Sequence, residues 1–215
     1  MSKAIFRLEG IPVADDVIVA RRDIEGEGLA RMVQGLARDL GFPCIVKPDR
    51  EGSTVGTTVA WNLDNLAQGL REAFQLDEKV LVEEYIQGRE MTVGIIGAEE
   101  LVLPVLEVRA SKGFYDYECK YTRGMTEYLV PAPIERELAS RLQEQAVRAH
   151  RSLGCEGVSR VDFMVDEEDR IYCLELNTLP GMTELSLIPK AAAAIGLSFT
   201  QVVKKILASA RLKAD

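Results

Sequence analysis

The sequence predicts an α+β fold on three observations. Helical apolar stripes recur four times, short β-branched runs recur seven times, and the two kinds of segment are mixed without strict alternation. A doubly wound parallel sheet needs that alternation, so its absence favours mostly antiparallel strands with helices packed on them. At 215 residues, 47% hydrophobic and 28% charged, the chain can bury one large core or two smaller ones.

The first helical stripe is Leu29, Met32, Val33, Leu36 and Leu40, with Gly41 as its C-terminal stop. Leu63, Leu66, Leu70 and Phe74 form the second, with Asp64 near its start. The third is Leu138, Leu142, Ala146, Ala149 and Leu153, entered through Pro131 and Pro133 and left at Gly154. Phe199, Val202, Val203, Ile206, Leu207 and Ala210 form the last, with Ser198 as N-cap. Strands are expected at 44–47, 80–85, 91–96, 101–108, 127–130, 158–165 and 170–177. Gly88 follows the run Val80-Leu81-Val82-Glu83 and marks a junction between two parts, 1–88 and 89–215.

Composition narrows the function classes. A net charge of −8 argues against a nucleic-acid partner, because phosphate backbones select basic surfaces. No apolar run approaches the roughly 20 residues that span a bilayer. The opening Met1-Ser2-Lys3, followed by Arg7 and Glu9, lacks a signal-peptide pattern. Cys44, Cys119, Cys155 and Cys173 form no CxxC pair and sit largely in apolar runs, as free thiols of a reducing compartment do. The expectation is a cytoplasmic protein that acts on small molecules, with neither nucleic acid nor membrane as partner.

The most informative stretch is 158–177. Two β-runs flank the turn Asp166-Glu167-Glu168-Asp169, which predicts an antiparallel hairpin. A register symmetric about that turn sets Arg160 opposite Glu175 and Asp162 opposite Cys173. Alternation then turns Arg160, Asp162, Glu175 and Asn177 to one face, and Val161, Phe163, Val165, Tyr172, Leu174 and Leu176 to a core face. Two carboxylates and an amide oxygen on one face suit a hard cation such as Mg²⁺, which shares its remaining positions with water and phosphates. A solvated polar face with an Arg–Glu cross-strand pair is the alternative. The turn Asn177-Thr178-Leu179-Pro180-Gly181 beside the carboxylates supports the metal reading, since loops at strand ends present ligand-binding groups.

Two further segments carry basic residues. Ile45-Val46-Lys47-Pro48 leads into the small-residue loop Gly52-Ser53-Thr54-Val55-Gly56, which can bring backbone N–H groups to phosphate oxygens or be an ordinary surface turn. It is not a P-loop, because no GK[ST] follows. The stretch from Ser111 to Tyr121 gathers three of the six tyrosines within seven residues, together with Lys112 and Lys120. It reads either as a lid or as a loop pinned by aromatic packing. The run Val82-Glu83-Glu84-Tyr85-Ile86 could offer backbone groups to an adenine edge and Glu90 could accept from ribose hydroxyls, or these acidic residues are simply solvated. His150, the sole histidine, lies in a helical pattern and is expected at the surface or partly buried.

Together these segments resemble the D-alanine–D-alanine ligase family of the ATP-grasp superfamily. The resemblance rests on Phe42-Pro43 through Lys47-Pro48, Glu51 to Gly56, Phe114 to Tyr121, Arg160-Val161-Asp162, and Glu175 through Ser186-Leu187, in order along nearly the whole chain. It implies two α+β subdomains clasping ATP, and a carboxylate–amine ligation through an acyl phosphate, with D-alanine as the small-molecule substrate. It implies that Lys47, Lys120 and Lys3 contact phosphates, that Glu83, Glu84 and Ile86 frame the adenine, and that Glu90 holds the ribose. It further implies that Asp162, Glu175 and Asn177 hold two Mg²⁺, for which Mn²⁺ can substitute. Arg160 and the Gly181 amide would face the tetrahedral oxyanion, and Ser186 and Leu187 the carboxylate of the second D-alanine. Ser53 and Tyr121 would join the dipeptide-site network, Tyr121 being similar to dipeptide-forming members rather than to D-lactate-using ones.

The family carries an N-terminal α/β domain of roughly a hundred residues, a common domain size, ahead of the segment matched here. That domain supplies the grip on the first D-alanine, and the expectation is that this chain lacks it. A separate N-terminal domain or subunit is therefore an expected partner, with a Mg–ATP-binding module lacking independent turnover as the alternative. The opening helix looks about four residues shorter than the family's between Arg7 and Gly10, a departure that bears on where Lys3 falls.

Overall fold

The computed structural model describes residues 2–25, 28–52, 54–110, 126–184 and 186–210. Ser53, Lys120 and Tyr121 lie outside the described residues, as does the whole aromatic stretch from Ser111 to Tyr121. In chain order the elements begin α1 (Ser2–Leu8), β1 (Asp16–Ala20), a short 3-10 helix (Arg21–Ile24), α2 (Gly28–Leu40), β2 (Cys44–Pro48) and β3 (Thr58–Ala60). There follow α3 (Leu63–Leu76), β4 (Lys79–Glu84), β5 (Arg89–Ile96), β6 (Leu101–Val102), β7 (Leu106–Ala110) and β8 (Thr126–Leu129). The chain continues with α4 (Arg136–Ser152), β9 (Val158–Val165), β10 (Ile171–Asn177), α5 (Leu187–Ala193) and α6 (Phe199–Ser209). Every described strand pair is antiparallel, as the α+β expectation requires. Among the described residues no helix is long and apolar enough to cross a membrane.

The chain divides into two compact units, and the described part of the smaller one is Ala14–Ile86. Its sheet runs β1-β4-β2-β3. Alternate residues Val46, Val80 and Val82 turn inward onto Leu36 of α2 and Leu66, Leu70 and Phe74 of α3. Gly41 ends α2 at φ +73°, the left-handed conformation a C-terminal glycine adopts without steric cost. Asn62 caps α3, its Oδ1 accepting the Asn65 N–H at 2.9 Å, and Asp64 lies in the first turn as expected. Such a cap is worth about 1 kcal/mol.

The larger unit holds a sheet in the order β10-β9-β5-β7-β8, with β6 paired to β5. One face packs on Leu138, Leu142, Ala146 and Ala149 of α4. Near Gly94 the opposite face receives α5 and α6 through Ile188, Ala192 and Val202, which pack on Ile96 and Leu103. A Cβ at Gly94 would stand 2.9 Å from Leu103 Cδ1 and 3.1 Å from Ile188 Cγ1, so α5 can approach β5 only over a glycine. Ser198 caps α6 in a reciprocal box with Gln201, as the sequence predicts.

Several expectations need correction. Residues before Ala14 belong with the larger unit, not with an N-terminal part ending at 88, because Phe6 and Ile11 bury their side chains in the core on α4. Burying each contributes about 1.5–3 kcal/mol. The Cys173 N–H also donates to the Pro12 carbonyl at 2.8 Å. The chain passes between units at Ile86/Gln87, and Gly88 packs so tightly on the Val165 carbonyl that a Cβ there would lie 2.1 Å from the oxygen. The expected strand 101–108 is two strands, β6 and β7, because Pro104 cannot donate to a sheet. His150 is buried, not superficial, with Nδ1 2.7 Å from Ser159 Oγ. Helix α1 is the opening helix that the family resemblance implies, whereas α5 is too short to show a helical period and the sequence pattern does not predict it, β1 or β3.

Candidate functional site

The hairpin of β9 and β10 forms as predicted, but its register changes partway along. Ile171, Tyr172 and Cys173 pair with Val165, Met164 and Phe163; then the register shifts, and Glu175, Leu176 and Asn177 pair with Asp162, Val161 and Arg160. Leu174 is the extra residue of a β-bulge. The symmetric expectation therefore fails: Asp162 lies opposite Glu175, and Arg160 opposite Asn177. The core face changes too. Ile171 and Cys173 are the buried residues, joined beyond the bulge by the partly buried Leu176, while Tyr172 and Leu174 are outside that core. In an unbroken strand Glu175 would follow Ile171 and Cys173 into the core. The inserted Leu174 reverses the alternation and turns Glu175 and Asn177 to the face of Asp162.

The polar side chains on that face form one network. Arg160 grips Asp162 with two N–H groups, Nε to Oδ1 at 2.9 Å and Nη2 to Oδ2 at 2.8 Å. The Asn177 amide donates to Asp162 Oδ2 at 3.2 Å and to Glu175 Oε1 at 3.0 Å. Thr92, opposite Asp162 on β5, donates its hydroxyl to Asp162 Oδ1 and lies 3.2 Å from the Val161 carbonyl. Asp162 is 7% exposed and Thr92 3%, whereas Glu175 opens to solvent. Glu90 occupies the same face two residues before Thr92.

This donor set fits a hard divalent cation. Glu175 and Asp162 stand directly opposite on a bulged pair, and Asn177 already bridges them. Rotating that amide would bring its oxygen to the same point, giving the carboxylate and carbonyl oxygens that Mg²⁺ prefers. Among the described residues no three His, Cys, Asp or Glu side chains gather into a metal-binding group, so the candidate rests on two carboxylates and an amide. Lys3, buried on α1, reaches this neighbourhood electrostatically. Burial pushes the Cys173 thiol up to about 12; Asp162 adds to the rise and Lys3 pulls against it. Helix α1 thus carries Lys3 into the electrostatic surroundings of Cys173 on β10.

Past β10 the chain forms the Gly181–Ser186 turn. The Ser186 hydroxyl accepts the Thr183 N–H at 3.0 Å and lies 3.1 Å from Thr183 Oγ1. It stands 3.3 Å from where a Gly181 Cβ would be, so glycine permits the close approach. Leu187 is the first residue of α5, whose position is fixed by Ile188 on Gly94. Gly94 in turn pairs with Arg160, so Arg160 and the Ser186 turn belong to adjoining parts of one sheet face.

In the smaller unit Lys47 Nζ lies 2.6 Å from Glu83 Oε2. Ile45 pairs with Glu83 across β2 and β4, so alternation puts Lys47 and Glu83 on the face away from the core. Glu84 is exposed and Ile86 buried. The Glu84 and Tyr85 N–H groups donate to the Asp15 and Pro43 carbonyls at 2.9 and 3.3 Å. In the loop after β2, Val55 N–H bonds Gly52 O and Thr57 N–H bonds Thr54 O, at 3.2 Å each. A Cβ at Gly56 (φ +69°) would meet Leu76 Cδ1 at 2.4 Å, which ties the loop to α3.

The structure thus brings Asp162, Glu175, Asn177 and Arg160 together, and separately Lys47 with Glu83. Thr92 was missed. Its only signal was a hydroxyl inside the apolar run 91–96.

Comparison with known proteins bears on this arrangement. The family model for the D-Ala D-Ala ligase C-terminus matches residues 5–208. The D-alanine–D-alanine ligase of Syntrophotalea carbinolica is 52% identical over 172 residues, covering 80% of this chain and 55% of that protein. The Halalkalibacterium halodurans enzyme of the same name is 43% identical over 207 residues, covering 94% and 65%. Among solved structures, VanG D-Ala:D-Ser ligase from Enterococcus faecalis matches with a TM-score of 0.84 at 35% identity, covering 96% of this chain and 59% of that one. The Bacillus anthracis D-alanine–D-alanine ligase complexed with ATP matches at 0.80 and 29% identity, covering 97% and 63%. The chain therefore spans somewhat under two thirds of the length of these relatives.

Proposed function

The chain belongs to the D-alanine–D-alanine ligase C-terminal family, with the ATP-grasp fold, and from that membership we propose that it is the catalytic part of an ATP-dependent D-amino-acid ligase. The observation that carries the reading is the bulged hairpin, which sets Asp162 against Glu175 with Asn177 between them and Arg160 alongside.

When bound, Mg²⁺·ATP supplies the phosphoryl group that activates the first D-alanine as an acyl phosphate. Asp162, Glu175 and Asn177 would hold two Mg²⁺, with Glu175 the carboxylate open to solvent. Lys47, Lys3 and Lys120 would neutralise phosphate charge, while Glu83, Glu84 and Ile86 frame the adenine and Glu90 the ribose. The Arg160 guanidinium and the Gly181 N–H are fixed donors for an oxyanion as the second amine attacks, and fixed donors act where charge develops. The Ser186 hydroxyl and the first turn of α5 would receive the second substrate's carboxylate, with Ser53 and Tyr121 completing that network. The grip on the first D-alanine's ammonium group is assigned to an N-terminal α/β domain, contiguous or separate. D-serine is the other candidate second substrate, after the D-Ala:D-Ser relative.

The test has two arms. Mg²⁺·ADP should raise the melting temperature, since a ligand that binds the native state at a hundred times its Kd stabilises by about 2.7 kcal/mol. No shift at saturating nucleotide overturns the reading. Phosphate release should depend on D-alanine once an N-terminal domain from a relative is supplied. Release that depends on D-serine alone would move the assignment of the second site.

A further inference from the structure

We infer that Thr92 is a positioning residue for the metal site, committing one oxygen of Asp162 to the protein and leaving the other to the cation. The inference rests on the metal reading of the hairpin. Asp162 has two carboxylate oxygens, and the donors around them differ in kind. Oδ1 receives the Thr92 hydroxyl and Arg160 Nε at 2.9 Å, whereas Oδ2 receives Arg160 Nη2, a longer contact from the same Nε at 3.2 Å, and the rotatable Asn177 amide.

Thr92 is 3% exposed in the middle of β5, between β9 and β7 in the sheet, with Asp162 and Leu106 as its direct partners. A β-branched side chain has few χ1 options, so this hydroxyl is stiffly held. Its single proton has two acceptors in reach, Asp162 Oδ1 and the Val161 carbonyl. Asn177, by contrast, sits near the end of β10, and its amide can rotate to present oxygen. Exchange of a donor for a cation is therefore expected at Oδ2, toward Glu175, while Thr92 anchors Oδ1. Partners that orient metal ligands in this way typically change metal affinity when removed.

The test uses the nucleotide-loaded chain with Mn²⁺ as probe, its binding followed by electron paramagnetic resonance. Thr92→Val keeps the shape and removes the donor, and should raise the Mn²⁺ Kd by about 10–100-fold. Thr92→Ser keeps the donor and should return the Kd close to wild type. An unchanged Mn²⁺ Kd in Thr92→Val, with only a lowered melting temperature, would show a purely structural residue and overturn the inference. Should Thr92→Val fail to fold, Thr92→Ala replaces it: weakened Mn²⁺ binding there and not in Thr92→Ser supports the role, and equal binding in both overturns it. A wild-type chain that binds no Mn²⁺ with nucleotide refutes the metal reading itself, and this inference with it.

Discussion

The Lys47–Glu83 pair of the smaller unit and the Arg160–Asp162 pair of the larger unit both join a cation to a sheltered carboxylate, by different constructions. Lys47 makes one contact through a flexible stem to a carboxylate whose side chain is 3% exposed. Arg160 makes two parallel contacts, and its Asp162 is also held by Thr92 and Asn177. A single ammonium can swing to another anion by turning its own stem. A carboxylate in a four-way network can accept a cation only if a neighbour gives way. The smaller unit's pair is thus suited to an exchangeable charge, and the larger unit's to a fixed floor.

Lys47→Met should show the largest stability loss. It removes the ammonium that Lys47 sets 2.6 Å from a sheltered carboxylate, and removing one partner of such a pair costs about 3 kcal/mol. Denaturant unfolding would measure it, and Lys47→Met with Glu83→Met should recover most of the loss. A double variant as unstable as the single one would break the comparison. Gly94→Val should cost about 2 kcal/mol, because the new methyl groups meet Leu103 and Ile188. It should also displace the Ser186 turn and so weaken binding of the second substrate proposed for it.

Arg160→Met should cost less stability, about 1 kcal/mol, since Asp162 keeps the Thr92 and Asn177 donors. A loss as large as that of Lys47→Met would show that the network does not share its load. The smallest effect concerns pH. Burial holds the His150 imidazole below its ordinary value. The unfolded chain then takes up the proton more readily, so this contribution to stability is present above about pH 6.5 and is lost as pH falls toward the folded value. His150→Asn should flatten the melting-temperature profile below pH 6.5.

Much of the scaffold was legible. Gly41, Gly154 and Ser198 announced helix ends because a left-handed glycine and a hydroxyl cap have residue-specific chemistry. The hairpin at 158–177 was legible for the same reason, with alternating runs around a polar turn. Its register was not. Ile171, Cys173, Leu174 and Leu176 are all apolar, so either parity of β10 reads as a core face, and only pairing with β9 and β5 selects one. Thr92 stayed hidden because its role depends on a partner seventy residues away. The polar face itself was found correctly because four polar residues of two strands converge under either register.

The most direct measurement is the number and affinity of Mn²⁺ ions bound to the nucleotide-loaded chain, in wild type and in Glu175→Gln. The bulged hairpin as metal floor predicts two ions in wild type and loss of most of that binding when the open carboxylate becomes an amide. Equal stoichiometry and equal affinity in the two proteins would contradict it.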